Sequence, residues 1–241
     1  MDKLIVANLK MNKNSVEMSD YLKKVTSNEF SNKVVILPSL SNLFLTSIYN
    51  QNVEYGVQNF FYKNEGSYTG EVNLKMLEFM NVKYALVGHN ERRKNFRESN
   101  SLINKKILNA LENGVTPILC IGESLGQANN NLYKAHLKRQ INLALKGVKI
   151  ADLDKIIIAY EPTYAIGAES GANLDYVESN IDLIRHVVNS KSAKTEINIK
   201  VLYGGSINLE NYESYLNSEH VDGLLIGRSI LDADNLIKMG R

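Results

Sequence analysis

Eight short apolar runs, each four or five residues long and each followed by a longer amphipathic or polar stretch, set the rhythm of this chain from end to end. They cover residues 4–7, 34–37, 54–57, 84–87, 117–121, 156–160, 199–203 and 223–226. Near-continuous apolarity over so few residues suits a parallel strand covered on both faces, where neither side meets water. The stretches between them carry the other period. Residues 99–112 place Leu102, Ile103, Ile107, Leu108 and Leu111 at helical spacing behind Ser99, a good N-cap. Residues 133–146 repeat the pattern, and 174–189 set Val177, Ile181, Ile184, Val187 and Val188 on one side.

Strand–helix alternation without a long linker predicts one parallel sheet. Eight strands favour closure into a (β/α)8 barrel, the α/β fold class expected here. Counting alone does not separate that barrel from an open doubly wound sheet, because the weak segment 40–49 affects the tally. A length of 241 residues fits a barrel, and no Pro- or Ser-rich tract or repeat divides the chain, so residues 1–241 are expected to form a single domain.

The same sequence excludes several classes of partner. Its net charge of +2, with no block of Lys or Arg, gives no reason to expect nucleic acid or an anionic membrane surface. Cys120 is the only cysteine, which rules out an intrachain disulfide and fits a reducing compartment. Residues 1–8 begin as a strand rather than a signal peptide, and no apolar run nears the roughly 20 residues that span a bilayer. A cytoplasmic protein is expected. No His, Cys, Asp or Glu cluster has metal-ligand spacing, and neither a dinucleotide fingerprint nor a Walker loop occurs, so no metal and no cofactor is expected.

In a barrel of this kind chemistry collects where strands end. Four ends carry unusual strings: Asn8-Leu9-Lys10-Met11-Asn12 after the first, Gly88-His89-Asn90-Glu91-Arg92-Arg93 after the fourth, Glu161-Pro162-Thr163-Tyr164 after the sixth and Gly204-Gly205-Ser206 after the seventh. Together they offer a base, an electrophile and positive charge, the set that proton transfer beside a carbonyl demands. Glu161 is the candidate base, and Pro162 biases it toward extended backbone at the strand end. Taken singly, Glu161 or Lys10 reads as an ordinary surface charge and His89 as a packing residue. His136, His186 and His220 read as ordinary helix or loop residues.

In order and spacing these strings resemble the triosephosphate isomerase family along nearly the whole chain. The resemblance implies a cofactor-free isomerase acting on a small triose phosphate, with Glu161 as base and His89 as a neutral electrophile, a property of the family rather than one read from this sequence. It further implies that Asn8 hydrogen-bonds the substrate oxygen, that Lys10 supplies a cation, and that Glu91 is a buried glutamate near that lysine, serving either ion-pair support or proton traffic. Phosphate is expected at Ser206, Gly227, Arg228 and, from a lid after the sixth strand, Gly167. The loop from Gln58 to Glu71 resembles the family's interface loop, so a homodimer is expected, with Thr69 reaching the partner's Asn8 and the partner's Lys10.

The sequence departs from the family at several points. Asn90 replaces a Ser after the histidine, and as a good N-cap it can still start the following helix. Tyr164 and Leu9 replace tryptophans, and Ala168-Glu169-Ser170 alters the lid. Arg228 stands where a second glycine is usual; arginine tolerates positive φ poorly, so a displaced amide or a rebuilt turn is expected, with the guanidinium toward either solvent or phosphate. Two rivals stand beside this reading: a phosphate-binding aldose–ketose isomerase of amino-acid biosynthesis, and a non-catalytic or moonlighting binding protein on the same scaffold. The first lacks these strings; the second has no need of Asn8, Lys10, His89 and Glu161 together.

Overall fold

The computed structural model describes residues 3–130, 132–165, 171–193 and 195–241. Strand β1 spans Leu4–Asn8, followed by helix α1 at Ser15–Thr26; β2 is Lys33–Leu37, β3 Glu54–Val57 and β4 Val82–Val87. Then come α2 at Asn90–Asn95, α3 at Asn100–Glu112, β5 at Thr116–Ile121, α4 at Leu125–Asn129 and α5 at Tyr133–Ala144. The last elements are β6 (Ile157–Tyr160), α6 (Leu174–Asn189), β7 (Lys200–Tyr203), α7 (Tyr212–Leu216), β8 (Gly223–Ile226) and α8 (Ala233–Gly240).

All eight strands pair in parallel and in sequence order, and β8 closes on β1 through Leu4 opposite Gly223. The open sheet left possible by counting is therefore excluded. Strand parity divides the core in two. Leu4, Val6, Leu37, Leu86, Ile118 and Leu202 fill the barrel interior, while Ile5, Ala7, Val34 and Ile36 face the helices. Burial on both sides is why the runs are continuously apolar.

The start of α3 follows the sequence closely. Ser99 caps α3 by accepting the Leu102 N–H, and Asn14 with Glu17 forms a capping box on α1. Two expectations need correction. The alternation is not uniformly α-helical: a 3-10 helix at Leu40–Ser47 follows β2, and only the short 3-10 turn Lys75–Leu77 follows β3. In addition, the buried face of α3 is Ile103, Ile107 and Ala110 together with Lys106 and Asn109; Leu108 is exposed. Lys106 reaches inward because Asn59 and Glu98 accept from its ammonium.

Candidate active site

The C-terminal rim of the barrel encloses a cavity of about 450 Å³. Its lining brings Asn8, Lys10, His89 and Glu161 together with Gly205, Ser206, Gly227 and Arg228. Residues far apart in sequence meet because β1, β4, β6, β7 and β8 all end on this rim.

Lys10 follows β1 in a left-handed conformation, φ 53°. For a non-glycine residue this costs on the order of 1 kcal/mol or more and needs local support. Asn8 Oδ1 accepts the Lys10 N–H at 3.0 Å, and Gln58 Nε2 donates to the Lys10 carbonyl at 2.9 Å. The ammonium meets Glu91 Oε1 at 2.5 Å. Glu91 is not buried as expected. Its side chain is 43% exposed because it sits on the first turn of α2, outside the packed layer.

His89 caps α2 itself: its Nδ1 accepts the Glu91 N–H at 3.3 Å. Asn90 is therefore the first helical residue and not the cap. Histidine is not among the favoured capping residues, so the sequence pointed to the wrong position. With Nδ1 acting as acceptor, the ring proton of a neutral imidazole lies on Nε2, which is 3.3 Å from Glu161 Oε1. Burial disfavours an imidazolium here, yet the Glu161 and Glu91 carboxylates raise the ring's pKa above its ordinary value. The helix N-terminus and the Nδ1 contact oppose that rise, and they favour the neutral tautomer as long as Glu91 N–H occupies Nδ1.

Glu161 is 4% exposed, and its N–H donates to Ile121 O at 2.7 Å, extending the β5–β6 ladder by one residue. Burial alone would push its carboxyl up. The imidazole of His89, the Cys120 thiol and the Lys10 ammonium more than offset this and hold it below the ordinary glutamate range. Oε2 has no hydrogen-bond partner among the described residues. Gly204 makes room for this side chain, since a Cβ there would lie 2.8 Å from Glu161 Cγ. In the sequence Gly204 is only part of the Gly204-Gly205-Ser206 string, and its service to Glu161 is visible only in three dimensions. Cys120 was likewise read only as a strand residue. Its inward parity on β5 was the available signal.

In the turns after β7 and β8 the amide inventory is uneven. Gly204 N–H donates to Tyr160 O and Ser206 N–H to Ala165 O, so neither is free for a ligand in this arrangement. The amides of Gly205, Gly227 and Arg228 donate to no acceptor among the described residues. The turn expected to suffer from Arg228 is not strained. Arg228 has φ −59° and ψ −47°, ordinary right-handed values, and opens the 3-10 turn Ser229–Leu231. Its side chain is exposed at the cavity mouth.

The sixth loop is described on either side of residues 166–170. Thr163 bonds twice to Glu123 O, and Tyr164 packs against the outer core. Gly167, Ala168, Glu169 and Ser170 lie outside the described residues. His220 pairs with Asp182 and His136 with Gln127, both away from the cavity.

The comparisons agree with this geometry. The family model described as Triosephosphate isomerase matches residues 3–241. A triosephosphate isomerase of Aquifex aeolicus is 37% identical, covering 99% of this chain and 98% of its own. One from Finegoldia magna is 36% identical over 98% of this chain and 96% of its own, and one from Francisella tularensis subsp. mediasiatica 36% over 97% and 94%. With a closed eight-stranded barrel, the Glu161–His89 contact on its rim and a match along nearly its full length, the chain belongs to the triosephosphate isomerase family.

Proposed function

We propose that the protein interconverts dihydroxyacetone phosphate and D-glyceraldehyde 3-phosphate, with Glu161 removing a proton from the carbon beside the carbonyl and returning it to the neighbouring carbon, while the hydroxyl proton passes between the two oxygens through His89 Nε2. The observation that carries this reading is the contact between Glu161 Oε1 and the proton-bearing Nε2 of His89, 3.3 Å apart with both side chains buried. A carboxylate held below its ordinary pKa is ionised at neutral pH and ready to accept a proton. The Nε2–H of His89 and the amide of Asn8 polarise the carbonyl oxygen. The Lys10 ammonium, in the same cavity, stabilises the enediolate as charge moves onto oxygen. Glu91 keeps that ammonium in place.

For the phosphate, the uncommitted amides of Gly205, Gly227 and Arg228 are the natural donors, with Ser206 and the Arg228 guanidinium alongside. Gly227 suits the role because Lys10 Cε lies 3.0 Å from where its Cβ would be. Gly167 enters this proposal from the family resemblance alone. The decisive assay follows glyceraldehyde 3-phosphate turnover in the wild type, Glu161→Asp and Glu161→Gln. The Gln variant is expected to be almost inactive, and full activity would overturn the assignment.

The working unit in this proposal is a homodimer. Loops after β1 to β4 expose Met11, Phe44, Ile48, Phe79 and Phe96, a concentration of apolar surface on one half of the barrel. Residues 65–71, including Thr69, are exposed beside it. Gln58, at the root of this loop, holds the Lys10 carbonyl, so an ordered interface would also steady the pocket. Light scattering should give about twice the 27.1 kDa chain mass; a monomer at micromolar concentration would refute the dimer. No helix among the described residues is long and apolar enough to cross a membrane. The buried free thiol of Cys120 suits the reducing cytoplasm that we propose for the protein.

A further inference from the structure

The amides proposed for phosphate sit on two turns that hang from different neighbours. β7 and β8 pair at Leu202 with Gly223 and at Tyr203 with Leu224, and beyond these no register pair joins them. The turn after β7 is held from the other side, toward β6. Gly204 N–H donates to Tyr160 O at 2.9 Å and Ser206 N–H to Ala165 O at 3.1 Å. The turn after β8 leaves a strand whose last pairing is with β1, Ile226 opposite Ala7. Strand pairing therefore does not set the spacing between the Gly205 amide and those of Gly227 and Arg228.

One side chain crosses this gap. Ser229 Oγ donates to the Ile207 carbonyl, the one hydrogen bond among the described residues that joins the two turns. Both ends of the tie are themselves anchored. The Ser229 carbonyl accepts from Asn235 Nδ2 on α8 at 2.8 Å, and Ile230 O takes the Tyr21 hydroxyl of α1 at 2.7 Å. On the β7 side, Ser206 O accepts from Asn211 Nδ2 at 2.9 Å, and Asn211 Oδ1 accepts the Asn208 N–H at 2.9 Å. Ile207 and Ile230 are buried in the outer core. Ser229 lines the cavity, yet its single hydroxyl proton is engaged by Ile207 O. It serves the fold of the cradle and is not itself a donor to the ligand.

We infer that Ser229 is a positioning residue for phosphate: its hydroxyl ties the turn after β8 to the turn after β7, so that Gly205 on one and Gly227 and Arg228 on the other act as a single cradle. The inference rests on the reading of this cavity as a phosphate site. Amides from two separate turns grip one compact anion well only when their spacing is set beforehand, and an error of about 1 Å is costly. Without the tie, part of the binding energy goes into bringing the turns together. The tie acts through position and not through charge, which separates it from the Arg228 guanidinium beside it.

The test compares Ser229→Ala and Ser229→Thr with the wild type, by titration calorimetry with inorganic phosphate and by steady-state kinetics with glyceraldehyde 3-phosphate. Ser229 is half-buried, so the Ala variant should melt within a few degrees of wild type. Its Kd for phosphate and its KM should both rise about 3- to 10-fold, the scale of one neutral hydrogen bond, with kcat within about twofold. The ratio of variant to wild type should be the same at low and high ionic strength, unlike that of Arg228→Gly. Threonine keeps the hydroxyl and should recover most of the loss. Unaltered phosphate affinity in Ser229→Ala would overturn the inference. So would a defect that fades in salt, or a Thr variant no better than Ala. Calorimetry needs no turnover, so a wild type that binds phosphate without isomerising refutes the proposed reaction and leaves the role of Ser229 readable.

Discussion

The two ends of this barrel handle charge in opposite ways. At the N-terminal end several charges are matched within the fold. Glu54 pairs with Lys33 and Lys83, each at 2.7 Å, and accepts the Tyr84 hydroxyl at 2.8 Å. Asp222 takes Arg185 and the Val201 N–H, both at 2.7 Å, and the Lys3 ammonium donates to the carbonyls of Ser218 and Val221. At the C-terminal end Lys10 bears a left-handed backbone, Glu161 keeps an unpaired buried oxygen and three amides await an acceptor. One end has what a folded chain needs, and the other keeps unmet demands that a ligand can satisfy. The difference locates function without any appeal to family.

Substitutions at each end should therefore separate activity from stability. The largest effect is expected at the rim: Glu161→Gln should lower kcat/KM by about 10²- to 10⁴-fold in a steady-state assay, with a melting temperature within a few degrees of wild type. Arg228→Gly should raise KM several-fold, more at low ionic strength than at high, since an exposed guanidinium acts through a screened field. Calorimetry on that variant should show little change, and a large loss of stability with unaltered KM would blur the contrast.

The opposite end gives the smaller and inverse result. Glu54→Gln should leave kcat and KM alone and cost about 1 kcal/mol after allowing for solvent screening, or about 2–4 °C in melting temperature. Burial alone would push the Glu54 carboxyl up, but Lys33, Lys83 and Tyr84 hold it down at about 2. Because the folded value lies below the unfolded one, this stabilisation is present above roughly pH 4.3 and is lost as pH falls toward 2. Wild type and variant should thus converge in acid. A difference that persists at pH 2 would assign the effect to packing.

Much of this was legible in the sequence because it depends on period and order. All eight strands were located to within one or two residues, and α6 to the residue. Asn8, Lys10, His89 and Glu161 were named because their strings sit at strand ends. What escaped depends on distances between elements. Nothing in residues 40–49 separates a 3-10 helix from an α-helix, since a short apolar pattern suits either. The true cap of α2 escaped because His89 reaches its own helix through a ring nitrogen, an uncommon use of that side chain. The engaged amide of Ser206 depends on where Ala165 lies, 41 positions away in sequence. The exposure of Glu91 follows from the placement of α2 on the rim.

The right-handed backbone at Arg228 reaches beyond this one residue. A turn that requires glycine is closed to selection, because every other side chain strains it. A turn at φ −59° accepts almost any side chain, and this one lines the cavity proposed to receive a doubly charged molecule. Position 228 is therefore an adjustable gatepost. Lys, Gln or Glu there would alter the field met by an arriving phosphate while the Glu161–His89 pair stayed as built, so capture of substrate can be tuned independently of the chemistry that follows.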